Sequence, residues 1–375
     1  MTETFDVLVA GGGILGLSTA WNLSQRGVRV ALVEQKHPGY GSTGRCIGGI
    51  RQQFSTPGAI RLMKKSVEIF SSMKDLFGFS VDFYQGGYLF LAHDERMAET
   101  FRKNREVQLR EGLSVSLLTP SQTKDVVPLL ETEGLVSAAY CPTDGQASPF
   151  LVMKGYWKGL KERGALLRTS TKLASLEKRG STFHALLSDG TRWEAARVVL
   201  SLGPWAREFT ATLGLDIPCY PERHEAAITQ RLERMIEPMI VDYRREGSYF
   251  HQLVTGQIII CYTPEETVPE LRYDSTIDFL PEAARRMAKL VPALGPSPFL
   301  RQWAGCYTVT PDHSPIVDQT PIEGLFLAAG MSGHGFMFGP GLGWSLAERI
   351  VTGEWPLDLS EFRYGRSFDS TETMR

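Results

Sequence analysis

The sequence predicts an α/β fold: a parallel, doubly wound nucleotide-binding unit interrupted by insertions that build a second, largely antiparallel β unit of α+β character. Three observations predict it. The apolar run Phe5-Asp6-Val7-Leu8-Val9-Ala10 leads directly into Gly11-Gly12-Gly13-Ile14-Leu15-Gly16, and a second apolar segment, Val28 to Val33, ends at Glu34. Two further buried runs, Val198 to Gly203 and Gly324 to Gly330, return late in the chain. Between them lie short alternating segments with Asp189-Gly190 and Thr255-Gly256 turns. Strand, glycine triplet, helix, second strand and terminal acid together make a Rossmann-like site. Gly11 permits the tight turn, Gly13 the approach of a pyrophosphate, and Gly16 the packing of helix on strand, while Glu34 falls where an acid takes ribose hydroxyls.

Taken in order, Ile14 to Leu23 give the mixed face of a helix closed by Arg26-Gly27. The polar, glycine-rich stretch Gly39 to Gly49 reads as an ordered loop of the kind that touches ligands. Thr56-Pro57 opens a helix with Ile60, Met63, Val67, Phe70 and Phe77 at helical spacing. Gly87 to Phe90 suggests a strand, Glu95 to Glu111 a charged helix, and Thr119-Pro120-Ser121-Gln122 a capping box. Ser148-Pro149 starts another helix, ended by Arg163-Gly164. Strands follow at Ala165 to Thr169, Thr182 to Leu187 and Arg192 to Glu194, and more between Glu222 and Tyr262. A helix is expected around Pro281 to Val291 and a last one over Gly341 to Thr352, stopped by Gly353. This divides the chain into a discontinuous dinucleotide-binding domain (1–80, 141–215 and 300–375) and a substrate domain (81–140 and 216–299).

The 375 residues carry 40 Lys and Arg against 42 Asp and Glu. Such balance leaves no electrostatic footprint for nucleic acid, and any membrane association is expected to be peripheral at most. The substrate is expected to be small. Five cysteines without CxxC or zinc-type spacing argue for a reducing compartment and against a structural metal. With the first strand starting within a few residues and no apolar run of spanning length, a cytoplasmic location is expected.

The carboxy-terminal third decides which dinucleotide is bound. Trp303 to Asp312, the run to Gly330, and then Met331-Ser332-Gly333-His334-Gly335-Phe336-Met337 place a second glycine-rich loop before a helix. Reduced flavin carries negative charge at its N1 and C2 carbonyl edge, which a helix N-terminus stabilises; nicotinamide has no such need. The expected cofactor is FAD.

Over essentially its full length the chain resembles the D-amino-acid oxidase and sarcosine oxidase group of flavoproteins. Within that group it is most similar to the β subunits of heteromeric L-proline dehydrogenases and sarcosine oxidases. The resemblance rests on the N-terminal unit, Gly203-Pro204-Trp205, Thr310-Pro311-Asp312, Gly333-His334-Gly335-Phe336, Gly41 to Phe54, Pro142-Thr143-Asp144-Gly145 and His224 to Gln230. It implies non-covalent FAD and hydride transfer from the carbon beside nitrogen to flavin N5, giving an imine. It also implies cofactor contacts from Gly11, Gly13, Ile14, Leu15, Gly16, Glu34, Gln35, Ser42, Thr43, Arg45, Cys46, Gly48, Gly49, Gly203, Trp205, Gly305 and Gly333 to Met337. The chain departs from the monomeric sarcosine oxidases at three positions: Met337 replaces a carboxylate-binding lysine, Gly305 a flavin-linking cysteine (Cys306 is one residue away), and Ile259 an oxygen-activating lysine. No histidine lies between Asp144 and Leu151 to carry a covalent FMN; a non-covalent FMN at a subunit boundary stays open, as does a second subunit.

Arg51 is the first candidate for the substrate carboxylate, because a guanidinium offers two parallel hydrogen bonds; a structural ion pair is the alternative. His334 is expected to contribute chiefly its backbone N–H, with its imidazole and Tyr249 as the other catalytic candidates. Tyr249, His251, Tyr262, Tyr307 and Met337 are candidates for the pocket wall, with core packing as the competing role. No carboxylate–histidine pair presents a general base, so the substrate amine is expected to arrive neutral and set the pH profile. The function expected is oxidation of a small amino or imino acid by an FAD-dependent dehydrogenase. The rivals are a 2-hydroxyacid dehydrogenase and a non-catalytic flavin electron-transfer subunit.

Overall fold

A computed structural model describes residues 3–245, 247–264, 267–369 and 371–374. In the first sheet Glu3–Ala10 lies between Val30–Val33 and Arg192–Leu200, parallel to both. Leu325–Ala329 joins Arg192–Leu200 and Leu166–Arg168 joins Val30–Val33, also in parallel, while Ile316–Gln319 closes one edge antiparallel. Along the first strand Val7 and Val9 point to one core and Leu8 and Ala10 to another, the alternation of a sheet covered on both faces.

Two expected strands are one. Arg192–Leu200 is continuous, because Ala195, Ala196 and Arg197 stay extended. Its first half pairs antiparallel with Thr182–Leu187 and its whole length serves the first strand, so one segment belongs to a hairpin and to the parallel sheet.

Helices Ile14–Gln25, Pro57–Phe77, Pro149–Glu162 and Gly335–Thr352 pack over one face. The capping boxes of the sequence are partly redirected. Thr119 and Gln122 form the reciprocal pair as expected, but the Thr56 hydroxyl donates to Glu361 at 2.5 Å. Glu361 then caps the helix in its place, accepting the Gly58 and Ala59 N–H groups at 3.3 and 3.0 Å. The last helix begins at Gly335 and runs through Pro340, earlier than the expected Gly341. On either side of Pro340 the neighbouring helices bond the backbone: Ser18 Oγ donates to the Gly339 carbonyl at 2.7 Å and Ser66 Oγ accepts the Gly341 N–H at 2.9 Å.

The second sheet runs Phe299–Val309, Tyr220–Thr229, Ile258–Cys261, Tyr249–Gln252, Met239–Asp242, Tyr88–Ala92, Ser137–Cys141, Ser116–Leu118. Only Met239–Asp242 with Tyr88–Ala92 is parallel. By hydrogen bonding, residues 300–309 therefore share a sheet with the inserted segments. One face of this sheet, with Ala227, Ile258 and Ile260, packs on the helix Phe279–Leu290; the opposite face presents Ala226, Ile259 and Cys261.

Candidate active site

A cavity of about 1100 Å³ opens where the first sheet ends and the second begins. That exceeds the roughly 300–1,000 Å³ of ordinary small-molecule sites and leaves room for a dinucleotide with a substrate. Ala10, Val33, Ser201 and Met331 border it, each at or just past the carboxyl end of a parallel strand, where ligands of open α/β sheets bind.

At one end stands the glycine triplet. Gly11 has φ +107°, and a Cβ there would lie 2.2 Å from the Ser201 carbonyl oxygen. Gly16 would meet the Gly11 carbonyl at 1.9 Å and packs helix on strand; it does not line the cavity. Gly13 differs. Its φ is −77°, it lines the cavity, and its Cβ would approach only the Thr43 hydroxyl, at 3.3 Å. The fold thus constrains this position far less than Gly11 or Gly16, and without a Cβ its backbone is open to the cavity. The Ile14 N–H is taken by Thr43 Oγ1 at 3.1 Å. The first intrahelical bond is made by the Leu17 N–H, so the Gly13, Leu15 and Gly16 donors precede the helix ladder. Glu34 is buried, with its carboxylate accepting the Gly12 N–H at 2.7 Å and the Lys36 N–H at 2.8 Å; a carboxylate retains further lone pairs for ribose hydroxyls.

The loop over the cavity is cross-braced. Ser42 Oγ donates to the Cys306 carbonyl at 2.6 Å, and the Trp303 indole donates to the Arg45 carbonyl at 2.8 Å. The Arg45 guanidinium donates to the Gly41 carbonyl and lies over the Tyr273 and Tyr40 rings, at 4.1 and 5.1 Å. Trp205, ending the turn Gly203–Trp205, stacks on Tyr40. Gln35, Gly48, Gly49, Gly203, Gly305, Gly333, Gly335 and Phe336 also border the cavity. Burial pushes the Cys46 thiol up to about 12, and the Cys306 thiol, also raised by burial, donates to the Arg272 carbonyl at 3.1 Å. Neither is an activated nucleophile for a covalent flavin link.

At the other end lies Arg51, 4 % exposed. It donates to the Gln53 carbonyl at 2.5 Å, to His334 Nε2 at 2.8 Å and to the Met374 carbonyl, and lies 3.9 Å over the Phe54 ring. All these partners are neutral. Among the described residues no carboxylate hydrogen-bonds to it; the Asp144 carboxylate, which feels its charge, serves Gln52 and Gln53 instead, and Arg51 faces the cavity. Because guanidinium only donates, His334 Nε2 is an acceptor and the proton sits on Nδ1. Burial, then the Arg51 charge, hold the imidazole well below its usual range, so it is neutral. Its buried Nδ1 has no partner among the described residues, an orphan donor suited to an acceptor on a bound group.

The expected role of the His334 backbone is corrected: its N–H bonds the Met331 carbonyl at 2.8 Å. The donors that precede the helix ladder are those of Gly335, Phe336 and Met337, since the Phe338 N–H makes the first bond back, to His334, at 3.0 Å. Tyr249 borders the cavity and shares a hydrogen bond of 3.0 Å with Tyr307; burial raises both phenols far above their usual range, keeping them protonated. His251, two residues along, is fully buried away from the cavity lining, with Nε2 at 2.8 Å from the Ile47 carbonyl and a pKa lowered by burial to about 4. Tyr262 faces the opposite way. It shares strand parity with Ile258 and Ile260 and stacks on Phe279 at 4.8 Å, in the core behind the sheet, so it is no wall of this pocket.

Several residues the sequence did not single out belong here. Tyr88, Phe90, Met239 and Val241 join Met337 in lining the Arg51 end. Asp144, fully buried, accepts the Gln52 N–H at 2.7 Å and the Gln53 amide at 3.0 Å and so fixes the loop that carries Arg51. Burial raises its carboxyl to about 6 against the pull of those donors. His224 borders the cavity and stacks on Tyr307 at 3.9 Å. His224 itself is a candidate from the sequence, on an expected strand with solvent exposure as the equal alternative; it is buried.

The chain belongs to the FAD dependent oxidoreductase (DAO) family, whose sequence profile matches residues 6–349. FAD is thus the cofactor, and the glycine turn, Glu34 and the first residues of the late helix border the cavity with room for it. The crystal structure of an L-proline dehydrogenase from P. horikoshii is similar with a TM-score of 0.91 and 35 % identity, covering 97 % of each chain. A 4-methylaminobutanoate oxidase (formaldehyde-forming) of Paenarthrobacter nicotinovorans is 26 % identical over 94 % of this chain, which spans only 44 % of that relative. The sarcosine oxidase subunit beta of Rhodobacter capsulatus is 23 % identical, over 98 % of this chain and 91 % of that protein. Among the described residues no helix is long and apolar enough to cross a membrane, and no group of three metal-ligating side chains gathers.

Proposed function

We propose that this chain oxidises a small amino or imino acid, proline- or sarcosine-like, to the imine. The observation that carries the reading is Arg51: a buried guanidinium that borders the cavity and, among the described residues, donates only to neutral acceptors. A substrate carboxylate supplies an anion to pair with it. Bound FAD supplies the hydride acceptor, held without a covalent link. The chain's own part is to fix the carboxylate through Arg51, to exclude water with Tyr88, Phe90, Tyr249 and Tyr307, and to offer the first-turn N–H groups of Gly335–Thr352 to developing negative charge.

None of the candidate bases is available. His334 spends its lone pair on Arg51, His251 is tied to Ile47, and the phenols stay protonated. This favours a neutral amine over an alcohol, which needs a base to start. With His251 near 4 and His334 held well below its usual range by burial and by Arg51, neither titrates between about pH 6 and 9. The logarithm of kcat/KM is therefore expected to rise with pH to a limit set by the free amine, and the limit to move when substrates of different amine pKa are compared. A limb that stays put across substrates would reveal an enzyme base and defeat this account.

Ile259, on the cavity-facing side of its strand, supports an acceptor other than oxygen, and the likeness to a sarcosine oxidase β subunit supports a second subunit. The five free cysteines support a reducing, cytoplasmic setting. The direct test is anaerobic titration of the yellow holoprotein with proline, sarcosine, glycine and lactate. Bleaching by an amino or imino acid is expected; bleaching by lactate alone would replace the reading with hydroxyacid oxidation.

A further inference from the structure

One acceptor of Arg51 comes from far along the chain: the main-chain carbonyl of Met374. The segment that delivers it is built into the fold. Glu372 is 3 % exposed, and its carboxylate accepts the Ser55 N–H at 3.1 Å and the Met374 N–H at 2.8 Å. Its own N–H donates to the Asp312 carbonyl at 3.0 Å. The Thr373 N–H donates to Ser55 Oγ at 3.2 Å, and Asn104 donates to the Thr373 hydroxyl at 2.9 Å. Met374 itself is 2 % exposed and borders the cavity. Ser55 follows Arg51 by four positions, so the segment is tied to the same loop as the guanidinium it touches.

The guanidinium has two forks that can grip a carboxylate, Nε with Nη2 and Nη1 with Nη2. Both use Nη2, and its two N–H groups go to His334 Nε2 and the Met374 carbonyl. A two-pronged grip on a substrate therefore requires one of these to let go. The imidazole is fixed at a helix start, whereas Met374 is held by hydrogen bonds of its own short segment.

We propose that the segment Glu372–Met374 is an internal competitor and size gate for the substrate carboxylate. Its carbonyl occupies the Nη2 arm of Arg51 until a carboxylate displaces it, and the Met374 side chain closes the chamber against bulky amino acids. A charged acceptor wins because its hydrogen bonds to guanidinium are roughly twice as strong as those of a neutral carbonyl. The inference rests on the reading of Arg51 as the carboxylate anchor.

The test uses the FAD-loaded full chain, a chain shortened to end at Asp369, and the full-length variants Met374→Ala and Glu372→Ala. Acetate affinity is read from perturbation of the flavin spectrum, and kcat/KM is compared across glycine, sarcosine, proline and bulkier N-alkyl amino acids. The shortened chain and Glu372→Ala are expected to bind acetate about fivefold more tightly. Met374→Ala, which keeps the carbonyl, is expected to leave acetate affinity alone and raise kcat/KM for the bulkiest substrate relative to glycine. Should the shortened chain lose FAD, the two full-length variants decide. Unchanged acetate affinity and an unchanged size ranking, with amino-acid turnover intact, overturn the role of the segment alone; a full chain whose flavin no amino acid bleaches overturns the underlying function.

Discussion

Replacement of Arg51 by alanine is expected to raise the substrate KM on the order of a hundredfold while FAD stays bound. Removing one partner of a buried, hydrogen-bonded charge pair costs about 3 kcal/mol, or some two decades in affinity. The protein itself should not suffer in proportion, because what is lost inside the fold is a buried cation served by two carbonyls and an imidazole. Loss of the charge also withdraws the attraction that Asp144 feels from it, so a fall in melting temperature of a few degrees at most is expected. Arg51→Lys should recover little, since an ammonium cannot reproduce the planar two-pronged grip. The measurement is steady-state kinetics beside flavin content and melting temperature. Wild-type KM in the alanine variant would remove Arg51 from the site.

The second large effect is expected at the glycine turn, where two neighbours should fail in different ways. At Gly11 any side chain meets the Ser201 carbonyl oxygen at 2.2 Å, so Gly11→Ala forces apart the two central strands and costs on the order of 3 kcal/mol. Both melting temperature and FAD content should fall. At Gly13 a methyl group would meet only the Thr43 hydroxyl, at 3.3 Å, which must give by a few tenths of an ångström, and alanine at this helix N-cap costs on the order of 1 kcal/mol. Gly13→Ala should therefore nearly keep its melting temperature as apoprotein and yet bind FAD at least tenfold more weakly. Equal FAD affinity in Gly13→Ala and wild type would show that no ligand backbone approaches there.

The nucleotide half was legible because its signals are local. Glycines at fixed spacing, an acid at the end of the next strand and an apolar run each carry their meaning within a few residues. The substrate half depends on parity and distance. Tyr262 was misread because Tyr249, His251 and Tyr262 belong to two antiparallel strands whose pairing, Tyr249 opposite Cys261, sends Tyr262 to the far face. No single strand displays that register. His334 borders the cavity, but the backbone N–H expected to act there is taken, because the Met331 carbonyl that captures it is a property of the folded loop. The last helix was expected only from Gly341; its extension back through Pro340 comes with bonds from Ser18 and Ser66, remote in sequence, to the backbone beside the proline. Met374 could not be found at all from pattern: a lone methionine carries no motif, and its contact with Arg51 spans 323 positions.

The strand Arg192–Leu200 links Glu3–Ala10 on one side to Leu325–Ala329 on the other. The floor of the site therefore joins stretches that leave the ribosome roughly three hundred residues apart, which makes its assembly a high-contact-order, late event. During synthesis the glycine turn emerges early but faces an unfinished sheet, with no helix Gly335–Thr352 opposite it. Vitamin capture then waits for the helix Gly335–Thr352, and chains interrupted before it are expected to stay in the empty form.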